Sequence, residues 1–436
     1  MTFALHVDAS RWRAHTARTR DAIRTVIRKD EPGPRLGDIV PVAKGNGYGF
    51  GNERLAAESE RLGTDVIAVG TAFEAAAVAP HFSGDILVLQ PWDPRDTLSA
   101  TAWSSLEADT ASAPRLIRTV AGVETLHALA AALAGAPDEG QAREPVRVLL
   151  EGLTSMRRFG LGEPDLDALL ADELVRAALR SGRLRLSGLT LHLPLAQPLA
   201  PHIQTLEREW HSSDTAPVLP GDASGRVREA WSWALTWIRA LAAMEDAGLP
   251  LPAEAASLWV SHLDESELAS LRAALPDIPI RLRVGTRLWL GDHQAFSARG
   301  TVLAVHQITK GRAVGYRQRR APRDGLLVVV GGGTSHGVAL SAPAPATSLR
   351  RRMVSAATGA LEAAGRYRSP FQWAGLRPWF AEPPHAQMSL VWIPAEDVRR
   401  AVAGSHQAPG IGDEWECQIR HTTASFDRVI GLDEHG

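Results

Sequence analysis

The stretch "PVAKGNGYGFGN", residues 41–52, closes a short apolar run with one lysine and then sets a glycine at every second position. An apolar run that ends in glycines reads as a strand giving way to a turn. The same kind of run recurs along the chain: "DIVPVA" at 38–43, "DVIAVG" at 65–70, "DILVLQ" at 85–90, "RLIRTV" at 115–120, "VRVLL" at 146–150, "LRLSGLTLH" at 184–192, "ASLWVS" at 256–261 and "IPIRLRVG" at 278–285. Alanine- and leucine-rich stretches with helical spacing lie between them, at 122–135 and 163–182 for example. Strands alternating with helices predict βα units and a parallel sheet. Eight such strands ending before residue 290 predict a (β/α)8 TIM-like barrel, with a doubly wound open sheet as the alternative. After residue 292 the pattern changes to short strands separated by turns, as in "FSARGTVLAVHQI", "GLLVVVGGG", "QMSLVWIP" and "EWECQIR". The expected division is a barrel over 1–290 and a β-rich C-terminal domain over 291–436, with a helical insertion around 345–380. The turn-rich stretch 208–226 reads as an exposed excursion.

Composition narrows the functional classes. With 436 residues the chain exceeds one ordinary domain, and 45% hydrophobic against 22% charged residues suits a large-cored globular enzyme. A formal net charge of -2 argues against nucleic acid or an anionic membrane as the main partner. No signal peptide or membrane span is expected. The single cysteine, Cys417, rules out an internal disulfide and a cysteine-rich metal site, and fits a reducing cytoplasm.

Lysine is scarce: of 47 basic residues only Lys29, Lys44 and Lys310 are lysines, a preference that genome composition explains in general. Lys44 is the one placed at a strand end before a glycine turn. At the C-terminal end of a barrel strand a lysine points into the mouth where barrel enzymes do their chemistry. Glycines there let backbone approach a phosphate closely. A lysine enclosed in such a mouth loses its proton readily and attacks a carbonyl. The alternative is an ordinary glycine-rich turn with a surface lysine.

"VAKGNGYGFG" resembles the pyridoxal-phosphate lysine segment of the alanine racemase family, with Lys44, Asn46, Tyr48, Gly49 and Gly51 matching and Phe50 in place of a histidine. The resemblance implies that Lys44 carries pyridoxal 5'-phosphate covalently and that Tyr48 contacts its phosphate. Further segments follow in family order. "TSMRRFGL", 154–161, supplies Arg158, implied to hold the cofactor's phenolic oxygen and the substrate carboxylate. "GLTLHL", 188–193, supplies His192, implied to lie against the pyridine ring, although a histidine ending an apolar strand is ordinarily a core residue. "LRVGTRLWLG", 282–291, supplies Arg283 for the pyridine nitrogen, and the backbone of Gly285 and Thr286 for the phosphate. "WVSHLDES", 259–266, offers Ser261 as a phosphate ligand on a weaker local match.

In the second domain "KGRAVGYRQ", 310–318, puts Tyr316 where the family has its catalytic tyrosine, with Arg317 replacing a glycine. The family's tyrosine reaches the partner's cofactor in a head-to-tail homodimer. The resemblance thus implies a cytoplasmic amino-acid racemase, alanine by default, using Lys44 and Tyr316 as its two bases. The departures fall on the substrate side. Glu151 stands where the family often has a lysine, Leu153 replaces an aspartate, "GGGTSHG" lacks a tyrosine, and "EPPHAQMSLVW" offers His385 in place of a Met-Asp pair. They leave room for another pyridoxal-phosphate reaction, such as a lyase or aldol-type step, or for a non-catalytic relative.

Overall fold

The structure, a computed structural model, describes residues 2–28, 36–109, 111–135, 144–197, 219, 221–340 and 367–432. The chain divides into two compact units: Met1–Ala14 with Asn46–Phe50 and Asp292–Gly436, and His15–Gly45 with Gly51–Gly291.

The unit spanning His15–Gly45 and Gly51–Gly291 is the barrel. After the N-terminal strand β1 (Phe3–Val7), its strands run in chain order: β2 (Ile39–Pro41), β3 (Val66–Val69), β4 (Asp85–Pro91), β5 (Leu116–Val120), β6 (Val146–Gly152), β7 (Leu184–Leu191), β8 (Leu258–Ser261) and β9 (Ile280–Val284). All pairings are parallel, in the order β2-β9-β8-β7-β6-β5-β4-β3, so each strand lies beside its sequence neighbour. The circle closes between β2 and β3 through one parallel bridge, Val42↔Ala68, with the Ala43 N–H donating to the Ala68 carbonyl at 2.8 Å. The eight expected strands are the eight observed, and the closed circle decides for the barrel over the open sheet.

The reason is visible in the side chains. Strand β3, Val-Ile-Ala-Val, is buried along its whole length, as an aliphatic run in a parallel sheet covered on both faces should be; β5 and β9 are equally buried although they carry Arg118, Arg281 and Arg283. Val40, Val42, Val66, Ala68, Leu87, Ile117, Leu149 and Trp259 form one apolar cluster. Each large member contributes about 1.5–3 kcal/mol of burial. At the N-terminal end of the strands, the buried Asp38 carboxylate accepts from Arg24 at 2.8 and 2.9 Å and from Arg28 at 2.5 Å. That pairing serves stability, and the C-terminal end is left for chemistry.

The second unit is built on an antiparallel sheet around the 13-residue strand β10 (Phe296–Ile308). The hairpin strands β11 (Ala313–Val314) and β12 (Arg319–Arg320) follow, then β13 (Gly325–Gly331), β14 (Trp379–Phe380), β15 (Met388–Pro394), β16 (Glu414–Glu416) and β17 (Arg428–Ile430). The order is β14-β15-β13-β10-β1-β17, with β16 also on β10; only β1 and β17 pair in parallel. Phe3, Val302, Val328, Val330, Phe371 and Val391 lie in its core, all fully buried. Of the excursion at 208–226, residues 208–218 and 220 lie outside the described residues. So does the part of the expected helical insertion from 345 to 366; residues 367–380 hold isolated bridges such as Arg368↔Trp379 and the short β14. Among the described residues, no helix is long and apolar enough to cross a membrane.

Candidate active site

Lys44 stands three residues beyond β2, solvent-accessible at the C-terminal end of the barrel strands. Its approach is fixed by backbone: Val42 N–H donates to the Val284 carbonyl at 2.9 Å, and the Trp289 indole donates to the Val42 carbonyl at 2.8 Å. The chain leaves the lysine through Gly45 at φ 61, a left-handed conformation that glycine adopts without a steric penalty. Glu74 holds that exit. Thr71 caps the helix Ala72–Val78, and from its first turn the Glu74 carboxylate accepts the Gly70 N–H at 2.7 Å and the Gly45 N–H at 3.0 Å. The fit is close: a Cβ on Gly70 would sit 3.2 Å from the Lys44 Cβ and 2.8 Å from Glu74 Oε2. Partial enclosure lowers the Lys44 pKa, the guanidinium charges of Arg158 and Arg283 lower it further, and Glu74 opposes them.

Strand ends β6 to β9 bring the remaining barrel residues. Arg283, the penultimate residue of β9, is only 7% exposed. Its Nη2 donates to the Leu191 carbonyl at 2.8 Å, while its Nε is buried with no protein partner. Burial brings its pKa down to about 10, with Glu151 opposing and Arg158 adding to the shift. Arg283 is therefore still a cation at neutral pH. Glu151, 3% exposed near the end of β6, is pushed upward by burial, against which the charges of Arg283 and Arg158 act.

Arg158 is exposed on a loop that closes tightly: Leu161 N–H donates to the Glu151 carbonyl at 2.7 Å, and the Ser155 hydroxyl donates to buried Glu229 at 2.8 Å. His192 follows β7. Burial, then Arg283, Arg158, His262 and Lys44, depress its pKa to about 2, so its imidazole is neutral over the physiological range. The Ser261 hydroxyl is buried, with the Leu191 carbonyl at 3.5 Å as its contact. Gly285 precedes the short helix Thr286–Leu290, its carbonyl accepting from Leu288 and Trp289 at 3.0 Å each.

Lys44, Arg158, His192 and Arg283 are thus brought into one electrostatic neighbourhood. Two members of it escaped the sequence reading. One is Glu74, at the fourth position of a "TAFE" cap, a pattern that signals only a helix start. The other is His262, which takes φ 63, bonds the Leu193 carbonyl through Nδ1 at 2.7 Å and meets His192 edge-on at 4.9 Å. Its signal was the polar pair that ends the "WVSH" run.

Tyr48 and Tyr316 belong to the other unit. Tyr48 is buried at φ 56, and burial raises its phenol to about 12, leaving a neutral hydrogen-bond donor. Its neighbour Asn46 donates to the His421 and Ala424 carbonyls. Tyr316 is 84% exposed at the tip of the β11–β12 hairpin, with Glu382 and His385 as its close neighbours. Among the described residues, no group of three or more His, Cys, Asp or Glu is arranged to hold a metal.

A parallel barrel with a lysine at a strand end, and a second unit of antiparallel sheet, define a (β/α)8 barrel protein of the alanine racemase fold. Residues 25–216 match the family described as alanine racemase, N-terminal domain. Solved structures agree on the fold. The alanine racemase from Bartonella henselae, with covalently bound pyridoxal phosphate, superposes with TM-score 0.58 at 15% identity, covering 99% of this chain and 100% of that one. The enzyme from D-cycloserine-producing Streptomyces lavendulae gives 0.56 at 17% identity over 96% and 88% of the two chains. The biosynthetic alanine racemase from Pseudomonas aeruginosa gives 0.52 at 18% identity over 96% and 91%. No curated protein matches the sequence.

Proposed function

We propose that the chain is a pyridoxal-phosphate-dependent amino-acid racemase with alanine as its default substrate. The observation that carries the reading is the grouping of Lys44 and Arg283 with neutral His192, in which the buried Arg283 Nε has no protein partner. A buried donor of that kind fits the ring nitrogen of the cofactor. Lys44, its ammonium form disfavoured, suits covalent attachment of the cofactor aldehyde. Tyr48, Ser261 and the backbone of Gly285 and Thr286 would hold the phosphate, and His192 would lie against the ring. When bound, pyridoxal phosphate supplies an electron sink for the bond to the substrate's α-proton.

The protein groups divide the remaining work. Arg283 donates a hydrogen bond but keeps its proton, which limits how much charge the sink takes up and favours returning the proton over side reactions. Arg158 pairs with the substrate carboxylate. Lys44 exchanges a proton on one face. The opposite face needs a second base, and Tyr316, exposed on its hairpin, takes that role from the partner subunit of a head-to-tail homodimer. A cytoplasmic location accompanies this reading.

A second reading, another pyridoxal-phosphate reaction on the same scaffold, is favoured by Glu151, a buried carboxylate beside Arg283 and Arg158. Incubation of the loaded protein with single L-amino acids, followed by chiral chromatography, separates the two. D-alanine from L-alanine supports the racemase, a new product supports the second reading, and no turnover despite bound cofactor removes both.

A further inference from the structure

Tyr316 does not stand alone on its hairpin. Its amide donates to Glu382 Oε1 at 3.1 Å, and the Arg317 amide reaches Oε2 at 3.4 Å. The same carboxylate holds His385 Nε2 at 2.6 Å. The His385 ring lies against the Tyr316 ring, with centroids 4.4 Å apart and planes inclined by 30°. Glu382 is 2% exposed, and a Cβ on Gly315 would fall 2.2 Å from its Cδ, so the turn before the tyrosine is shaped around the carboxylate. Burial raises the Glu382 pKa, but the bonds from His385, Tyr316 N–H and Arg317 N–H outweigh it, and the group remains a carboxylate.

Burying a charge to anchor a two-residue hairpin is costly when backbone bonds could serve. This carboxylate has an imidazole as its side-chain partner, and that imidazole faces the one exposed phenol. The other element against His385, the turn at 333–336, meets its backbone: Thr334 N–H donates to the His385 carbonyl at 2.9 Å, Ser335 turns to the Ala386 carbonyl, and His336 turns to Asp427. Glu382 and Tyr316 are therefore the charged and titratable side chains facing the His385 ring, with Arg317 adjoining through its amide.

We propose that Glu382 and His385 are positioning residues for Tyr316: the buried carboxylate holds the imidazole and the hairpin amides, and the imidazole ring fixes the attitude of the phenol. In the step assigned to Tyr316, its phenolate accepts the substrate α-proton and becomes phenol, and the reverse step returns that proton. The inference rests on the racemase reading for its catalytic meaning, and on the second unit's own geometry for the coupling.

The test follows the side-chain resonances of the full chain by NMR across pH, with Tyr316→Phe and His385→Phe assigning the two rings. The chain has only three tyrosines, so the phenol signals are few. The Tyr316 ring should report the His385 titration, and Glu382→Gln should disturb the Tyr316 ring signals through loss of the His385 anchor. In the loaded enzyme, Glu382→Gln and His385→Phe should lower racemisation roughly tenfold to a hundredfold with KM little changed. They should also shift the pH profile, with Glu382→Asp restoring part of the rate and solvent-proton exchange at the Lys44 face persisting. Independent titration of the two rings in a folded parent protein overturns the proposal, whatever reaction the enzyme performs. So does an unchanged pH profile in Glu382→Gln. Coupled titration without racemisation leaves the coupling standing and removes the racemase reading instead.

Discussion

Gly70→Ala tests whether the close packing around Lys44 matters for cofactor binding. Gly70 does not adopt a positive φ, so alanine is allowed there by the backbone and the effect comes from contact alone. The new methyl would lie 2.8 Å from Glu74 Oε2 and 3.2 Å from the Lys44 Cβ. The carboxylate must then move off the Gly70 and Gly45 amides, or the lysine must shift. Gly45 is exposed and Gly70 half-buried, so losing their bonds costs about 0.5–1.5 kcal/mol, and overpacking by one carbon costs about 1–3 kcal/mol. Taking about 2 kcal/mol at the site, cofactor affinity should fall roughly thirtyfold. The measurement is a spectrophotometric titration of the protein with pyridoxal phosphate, beside urea unfolding of both forms. Glu74→Gln, which keeps the volume and removes the charge, should weaken binding less than Gly70→Ala if sterics dominate. Parent affinity and parent stability in Gly70→Ala would refute the claim that the Gly70 contact sets the lysine's position.

Borohydride reduction of the loaded protein and peptide mapping should place the phosphopyridoxyl group on Lys44; a label on Lys29 or Lys310 would end the reading. Mixing Lys44→Ala with Tyr316→Phe chains, each nearly inactive, should regenerate about a quarter of parent activity, since one of the two sites in a head-to-tail heterodimer is intact. No recovery between chains shown to exchange would place Tyr316 in its own subunit's site or outside the chemistry. His192 has its folded pKa depressed from 6.5 to about 2, so between those values the unfolded chain binds the proton and the folded one does not. Its contribution is present above pH 6.5 and is lost as pH falls toward 2. His192→Gln should therefore flatten the decline of urea stability between about pH 6 and 4, and an unaltered slope would contradict the assignment.

The barrel was legible because its strands are short runs rich in aliphatic residues, Val66–Val69 being the clearest, and a parallel strand buried on both faces leaves that mark in the sequence. Phe3–Val7 carries no comparable sign of its partners: it pairs with Phe296–Gly300 and with Arg428–Ile430, and nothing local specifies pairing at such separation. Lys44 stood out because its place at a strand end points it to the mouth, whereas His192 and Arg283 were picked out by resemblance; the fold sets all three near strand ends. Glu74 was not, because its carboxylate reaches Gly45 across 29 residues while its local sequence signals only a cap. His385 was noticed from sequence, but its partner Glu382 was not; the proline pair between them hides an i,i+3 contact that only the fold makes.

The barrel closes between β2 and β3 by a single bridge, and Lys44 leaves the chain just beyond it. The Glu74 carboxylate straddles this seam, one oxygen on the amide after each strand. A joint with so few ladder bonds is where a closed sheet first breathes, on a free-energy scale well below global unfolding. A ligand that attaches at Lys44 and requires the seam shut draws the opening equilibrium toward the closed form by mass action. Amide exchange at Val42, Ala43 and Ala68 should then slow in proportion to cofactor occupancy, so that the barrel's last stitch reports whether the site is filled.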